Sequence, residues 1–244
     1  MRKGVVPFVA MIVAYGLGGG CCFAAWGFSI LVGVLPLGAQ RRERITRKAI
    51  QRLAGLWVGV LEEIGILEVD FGGIERQGGR RGVVLVANHP TYLDAVLLMS
   101  ISPNLFCLTK AGNLERFWIS ATARQAGYVD NGNALRMVRE CIARVQRGEN
   151  LLIFPEGTRT SGWQVQNLKR GFAYIAIQAR VPLVVMRVTS FNESFMRKGQ
   201  PFFCVCPRIP MRYRFENLGE IIPHRRESSR CLADRVEQMM RGVQ

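Results

Sequence analysis

Residues 5–39, VVPFVAMIVAYGLGGGCCFAAWGFSILVGVLPLGA, carry no charged side chain, and no other feature restricts the fold as strongly. The run is too long for the apolar core of a secretory signal, and no small-residue cleavage site closes it. As one helix it would extend about 50 Å, against a bilayer hydrocarbon core of roughly 30 Å. Two arrangements satisfy that mismatch. One is a tilted spanning helix with ragged ends; the other is a re-entrant hairpin breaking at Gly16–Gly20, with arms too short to cross. The glycines are not a dinucleotide fingerprint, because Cys21 follows them and no strand–helix switch surrounds them. Arg2 and Lys3 precede the run, whereas Arg41, Arg42, Arg44, Arg47, Lys48 and Arg52 follow it. The heavier flank is expected on the cytoplasmic side, which makes residues 1–40 a membrane anchor at the cytoplasmic (inner) membrane, with the rest of the chain facing the cytoplasm.

Residues 41–65 read as a basic amphipathic helix. Ile45, Ala49, Leu53, Leu56, Val60 and Ile64 recur at three- and four-residue steps, with most of the cations in the first half. Such a helix packs on a domain core or lies on a membrane surface, and Trp57 suits an interface. The whole chain has a formal net charge of +15, which points to anionic partners, an anionic membrane among them. Basic residues are not interleaved with aromatics as in a nucleic-acid platform, so no nucleic acid is expected. The seven cysteines include no C-x-x-C pair, so neither a disulfide framework nor a metal site is indicated, and a reducing compartment fits. Cys204 and Cys206 alternate within an expected strand as small buried hydrophobes.

From residue 66 to 244 the pattern becomes that of one domain. Short apolar runs at 66–71, 82–87, 104–109, 150–155, 182–188 and 202–209 predict strands. Helical periodicity lies near 92–100, 114–125, 133–147 and 168–179, and again at 225–241. Asn133 is placed to cap the third of these helices and Gly148 to end it, with Leu135, Val138, Ile142 and Val145 as its stripe. Continuous apolar strands separated by helices predict an α/β fold with a mainly parallel central sheet flanked by helices. The working residues of such a sheet lie beyond the carboxyl ends of its strands.

Two motifs fall on that rim. NHPTYLD (88–94) follows the second expected strand and contains His89, one of two histidines in the chain, and Asp94. A carboxylate in the first turn of the following helix can reach back to one imidazole nitrogen and fix its tautomer, while the other nitrogen takes a proton. No G-x-S-x-G elbow accompanies the pair, so the activated hydroxyl is expected to belong to a substrate. FPEGTRT (154–160) follows the fourth strand. There Gly157 permits close backbone approach to a ligand, Arg159 offers a fork suited to phosphate, and Glu156 can hold that arginine or a nearby turn.

NHPTYLD resembles the H-x4-D motif of the glycerolipid acyltransferases, the 1-acylglycerol-3-phosphate acyltransferase-like (lysophospholipid acyltransferase) family. FPEGTR is similar to that family's third block and VPLVVM (181–186) to its fourth, with LKRGFAYIAIQA leading into it. The resemblance covers roughly residues 40–210. It implies transfer of a fatty acyl group from acyl-CoA or acyl carrier protein to the hydroxyl of a lysophospholipid, without a cofactor. It makes His89 the base, Asp94 its partner, and Glu156, Gly157 and Arg159 part of the acceptor site. Two blocks depart from the pattern. GYVDNGN (127–133) has Asn131 near the place of an arginine that helps grip the acceptor phosphate, and Val185 stands where the fourth block has its second proline. Lys110, at the end of the third strand, is either a replacement cation or a solvated strand-end lysine. The acceptor implied first is 1-acyl-sn-glycerol-3-phosphate, giving phosphatidic acid. The alternatives are another lyso-lipid such as lyso-ornithine lipid, or a non-catalytic basic membrane-binding protein.

Overall fold

The computed structural model describes residues 2–72, 74, 81–109, 117–159, 168–191 and 209–242. It opens with a helical pair, α1 (Arg2–Val34) and α2 (Ala39–Glu63). The glycine run does not break α1, so the hairpin turning at Gly16–Gly20 is not what forms. A glycine inside a helix costs about 1 kcal/mol against alanine, too little to interrupt so long an apolar segment. The chain reverses instead at 35–38, where Pro36 cannot continue the ladder, and α2 returns along α1. The contact is close: an added Cβ at Gly18 would lie 3.2 Å from the Trp57 ring nitrogen, which donates to the Ala14 carbonyl at 3.0 Å. Gly18 thus serves helix contact rather than a turn, while an added Cβ at Gly16, Gly19 or Gly20 would meet nothing within 4 Å.

The apolar stripe expected on α2 is not its core-facing side. Ala54, Val58 and Leu61 are buried together with Thr46 and Arg47, whereas Ile45, Ala49, Leu53 and Val60 are half-buried and Leu56 and Ile64 exposed. A buried ion cluster sets this rotation. Arg47 Nη1 donates to Glu149 Oε2 at 2.6 Å, and Arg144 donates to Glu43 at 2.7 and 3.0 Å, to Glu149 at 3.1 Å and to Glu140 at 3.1 Å. Burial alone would raise the Glu149 carboxyl, but Arg47 and then Arg144 outweigh it and hold the group below its ordinary value.

Beyond α2 lie β1 (Leu67–Asp70), β2 (Val84–Ala87), α3 (Leu93–Ile101), β3 (Leu105–Thr109), α4 (Phe117–Gln125), β4 (Val129–Asp130), α5 (Ala134–Gln146), β5 (Asn150–Ile153), α6 (Gly171–Ala179), β6 (Leu183–Ser190), β7 (Met211–Ile221) and α7 (Ser229–Arg241). Among the described residues, seven strands form one sheet in the order β1-β7-β6-β2-β5-β3-β4. β2 through β6 run parallel, as expected; β7 is antiparallel to β6 and carries β1 parallel to itself. The flanking layers follow from strand alternation. Leu85 and Ala87 of β2 face a cluster with α2 and α3, and Val84 and Val86 face one with α6 and α7.

Asn133 caps α5, accepting from the Arg136 N–H at 3.0 Å, and Gly148 follows the helix with a φ of 85°. Along the expected α5 stripe Val145 is buried and Val138 and Ile142 half-buried, but Leu135 is exposed in the first turn. The C-terminal helix buries Leu232, Val236 and Met240 as its periodicity requires, and Arg187 closes its end by donating to the Met239 and Met240 carbonyls. The strand expected at 202–209, with Cys204 and Cys206, lies outside the described residues apart from Ile209.

Candidate active site

β2 and β5 are neighbours, so the loops leaving their carboxyl ends meet. His89 and its neighbours leave β2, and Phe154, Glu156, Gly157 and Arg159 leave β5. Asn88 anchors the first loop: its side chain donates to the Val188 carbonyl at 2.9 Å and accepts from the Val188 N–H at 2.6 Å, which binds the turn to β6.

The histidine and aspartate meet as their spacing predicts. His89 Nδ1 lies 3.0 Å from Asp94 Oδ2, with Asp94 fully buried and the imidazole 18% exposed. Asp94 sits in the first turn of α3, and Thr91 adds two bonds: its N–H donates to Oδ2 at 2.8 Å and its hydroxyl to Oδ1 at 2.7 Å. A carboxylate accepts these bonds, so the Nδ1 position carries the histidine proton and Nε2 is the basic nitrogen. Phe154 lies against the imidazole, with ring centroids 4.1 Å apart and planes 16° from parallel. The ring is therefore held on one side by stacking and along its edge by the carboxylate.

The second loop is joined to the first. Glu156 Oε1 accepts the His89 backbone N–H at 3.2 Å, so this carboxylate holds the turn that carries the histidine. The Arg159 guanidinium lies 3.9 Å from the centroid of the Tyr92 ring, placing the arginine on the NHPTYLD segment. Gly157 has a φ of 69°, in the left-handed region where glycine carries little strain, and an added Cβ would come within 2.7 Å of Lys169 Nζ. Lys169 is tied there through its own N–H, which donates to the Pro155 carbonyl at 2.9 Å. The rim thus holds a second cation beside the arginine.

His89, Asp94, Glu156, Gly157 and Arg159 are brought together as expected. Lys110 lies outside the described residues. Asn131 leaves β4, three strands from β2, a separation of roughly 14 Å at ordinary strand spacing. The departing second block has its own structural use there: Asp130 accepts the Gly132 N–H at 2.6 Å in a tight turn that leads into the Asn133 cap. Thr91, Tyr92, Phe154 and Lys169 were not singled out in the sequence. Thr91 and Tyr92 lie within the H-x4-D segment, Phe154 opens FPEGTRT and Lys169 lies in LKRGFAYIAIQA, so membership of the motif segments was the available signal. Among the described residues no cluster of His, Cys, Asp and Glu is arranged to hold a metal.

Fold and rim together define a class: a largely parallel α/β domain with an H-x4-D dyad on one loop, stitched to an EGTR loop on the neighbouring strand. Residues 68–189 match the family model described as Acyltransferase, and the chain belongs to that family. It is 26% identical over 189 residues to 1-acyl-sn-glycerol-3-phosphate acyltransferase alpha of Ovis aries, covering 74% of this chain and 64% of that enzyme. It is 30% identical over 187 residues to the lyso-ornithine lipid O-acyltransferase of Pseudomonas aeruginosa, covering 70% of this chain and 68% of that protein. The chain thus spans just under two thirds of the animal enzyme it matches. The crystal structure of the 1-acyl-sn-glycerophosphate acyltransferase PlsC from Thermotoga maritima shares the fold, with a TM-score of 0.77 over 99% of this chain and 95% of that one, at 20% identity.

Proposed function

We propose that this protein is a membrane-bound acyltransferase that moves a fatty acyl group from a thioester to the free hydroxyl of a lysophospholipid, 1-acyl-sn-glycerol-3-phosphate first among acceptors. The observation that carries the reading is the 3.0 Å contact of His89 with a buried Asp94, on a loop stitched to Arg159 and Glu156. Simple electrostatic attachment to a membrane would need no such dyad.

In the reaction, Nε2 of His89 removes the acceptor hydroxyl proton as its oxygen attacks the thioester carbonyl carbon. The tetrahedral adduct collapses, the C–S bond breaks, and the imidazolium returns the proton to the departing thiolate. The products are an ester and a free thiol, which balances the exchange without a cofactor. Asp94 keeps Nδ1 protonated and stabilises the imidazolium between the two steps. Arg159 and Lys169 supply cations for the acceptor phosphate, and the basic surface accepts either acyl-CoA or acyl carrier protein.

The helical pair supports lipid attachment. Phe8, Ile12, Leu17, Phe23, Ile30 and Leu31 of α1 are exposed apolar groups, and Arg41, Arg44, Lys48 and Arg52 are exposed on α2. Met11 and Ala14 share a buried cluster with Leu97, while Gly33 approaches Gln125 of α4. A helix that packs on the α/β domain about a third of the way along and again at its C-terminal end suits embedding along one leaflet better than crossing, with the cations at anionic headgroups on the cytoplasmic side.

A second reading keeps the chemistry and changes the acceptor to lyso-ornithine lipid. It is favoured by Asn131 in the place of a phosphate-gripping arginine and by the 30% identity to the Pseudomonas protein. Purified membranes containing the protein, given a labelled acyl thioester and a panel of lyso-lipids, distinguish the two. Labelled phosphatidic acid is the expected product; ornithine lipid alone would move the assignment to the second reading, and no acylated product at all would defeat both.

A further inference from the structure

β7 brings one more side chain to the dyad. Tyr213, 2% exposed, pairs with Ser190 at the carboxyl end of β6, on the rim where His89 lies. Its hydroxyl is 3.1 Å from Thr91 Oγ1. The direction of that bond is fixed by proton counting. Thr91 has one hydroxyl proton, and it goes to Asp94 Oδ1 at 2.7 Å. The Thr91 oxygen then accepts, from the Leu93 N–H at 3.2 Å and from Tyr213. The order is Tyr213 to Thr91 to Asp94, with His89 donating to the same carboxylate from the other side.

We infer that Tyr213 is a positioning residue for acyl transfer, acting through the Thr91 hydroxyl to fix the Asp94 carboxylate that orients His89. The inference rests on the proposed role of the dyad. Thr91 and Asp94 are fully buried, so bulk solvent does not reach the threonine rotor, and a donor on its oxygen polarises the hydroxyl toward the carboxylate. With the tyrosine hydroxyl gone, the threonine oxygen loses one of two donors and the rotor loses its constraint. The carboxylate loses alignment while the acceptor-binding cations stay where they are.

The test uses the full-length protein in detergent, with a long-chain acyl-CoA and 1-acyl-sn-glycerol-3-phosphate. Tyr213→Phe keeps the ring and removes the hydroxyl; it should lower kcat roughly three- to tenfold, with the acceptor KM unchanged. Thr91→Val should lower kcat at least as far, Thr91→Ser should restore most of it, and Tyr213→Phe placed on Thr91→Val should lower it no further. A merely structural tyrosine would give the same loss in both backgrounds. Parental kcat in Tyr213→Phe, or a loss that persists undiminished on Thr91→Val, overturns the inference. If Tyr213→Phe does not fold, the Thr91 pair decides it: a Thr91→Val protein with parental kcat leaves no hydroxyl relay for Tyr213 to act through. Full activity in His89→Ala would instead defeat the dyad reading itself, so the two failures are distinguishable.

Discussion

Replacing Glu149 by glutamine tests how the helical pair is joined to the sheet. Glu149 precedes β5, the strand whose far end carries Phe154 and Glu156, and it binds Arg47 of α2 from the side opposite the active rim. The two arginines lose unequally. Arg144 keeps Glu43 and Glu140, whereas Arg47, 3% exposed, has Glu149 as its ion-pair partner among the described residues. The substitution therefore strands one buried guanidinium. Breaking a buried pair costs about 3–5 kcal/mol, and the amide oxygen that remains places this case near the low end. For a domain of this size that corresponds to a fall in Tm of roughly 6–12 °C. The charge also sets a pH dependence. A carboxyl held below its ordinary value of 4.5 contributes stability that is present above that pH and is lost as pH falls through the lowered folded value. Glu149→Gln should therefore melt early at pH 7 and lose part of the parent's destabilisation at acid pH. Differential scanning fluorimetry in detergent at pH 7 and pH 4 measures both. As a control, Glu68→Gln removes an exposed partner of Arg212 and should cost less than about 1 kcal/mol. A Glu149→Gln protein melting within about 2 °C of the parent at pH 7 would refute the argument.

Arg159→Ala should raise the acceptor KM about tenfold or more, the effect of one lost charge-assisted contact, while thioester affinity holds; unchanged acceptor kinetics would leave the EGTR loop a structural role only. Cys107 and Cys141, their thiols pushed up to about 12 by burial, should resist alkylation at pH 8 in the native protein while the exposed Cys231 reacts, as mass mapping of labelled peptides would register. The same two thiols contribute stability below their ordinary value of 9.0, and it should be lost as pH rises toward 12. Removing residues 1–38 should release much of the protein from membranes and expose the α2 surface around Trp57; a truncated chain still fully membrane-bound in flotation would assign attachment elsewhere.

The fold was legible where burial on both faces of a strand leaves a continuous apolar run. β2, β5 and β6 were read that way within one or two residues. β7 was not. MRYRFENLGEI buries Met211, Tyr213 and Phe215 and exposes Arg212 and Arg214, an alternation that a search for unbroken apolar runs passes over. The loss mattered, because Tyr213 reaches the site from that strand. The rotation of α2 was not legible for a related reason. Its apolar stripe is the strongest signal along it, yet a buried arginine and contact with α1 decide which side faces the core, and ion pairs between residues 102 apart leave no local pattern. His89 and Asp94 were legible because the local turn alone brings them together. The contact of Glu156 with the His89 backbone was not, since it depends on β2 and β5 being neighbours.

The central claim is that His89 is the base for acyl transfer. Its most direct test is the single-turnover rate of His89→Ala against the parent, with acyl-CoA and 1-acyl-sn-glycerol-3-phosphate, beside a melting curve of each protein. With His89 as the base, the variant should transfer the acyl group roughly 10²–10⁴ more slowly, the usual contribution of a positioned general base, while melting within a few degrees of the parent. A folded His89→Ala that transfers the acyl group at near-parental rate contradicts it, as does a variant whose lost activity is matched by lost structure.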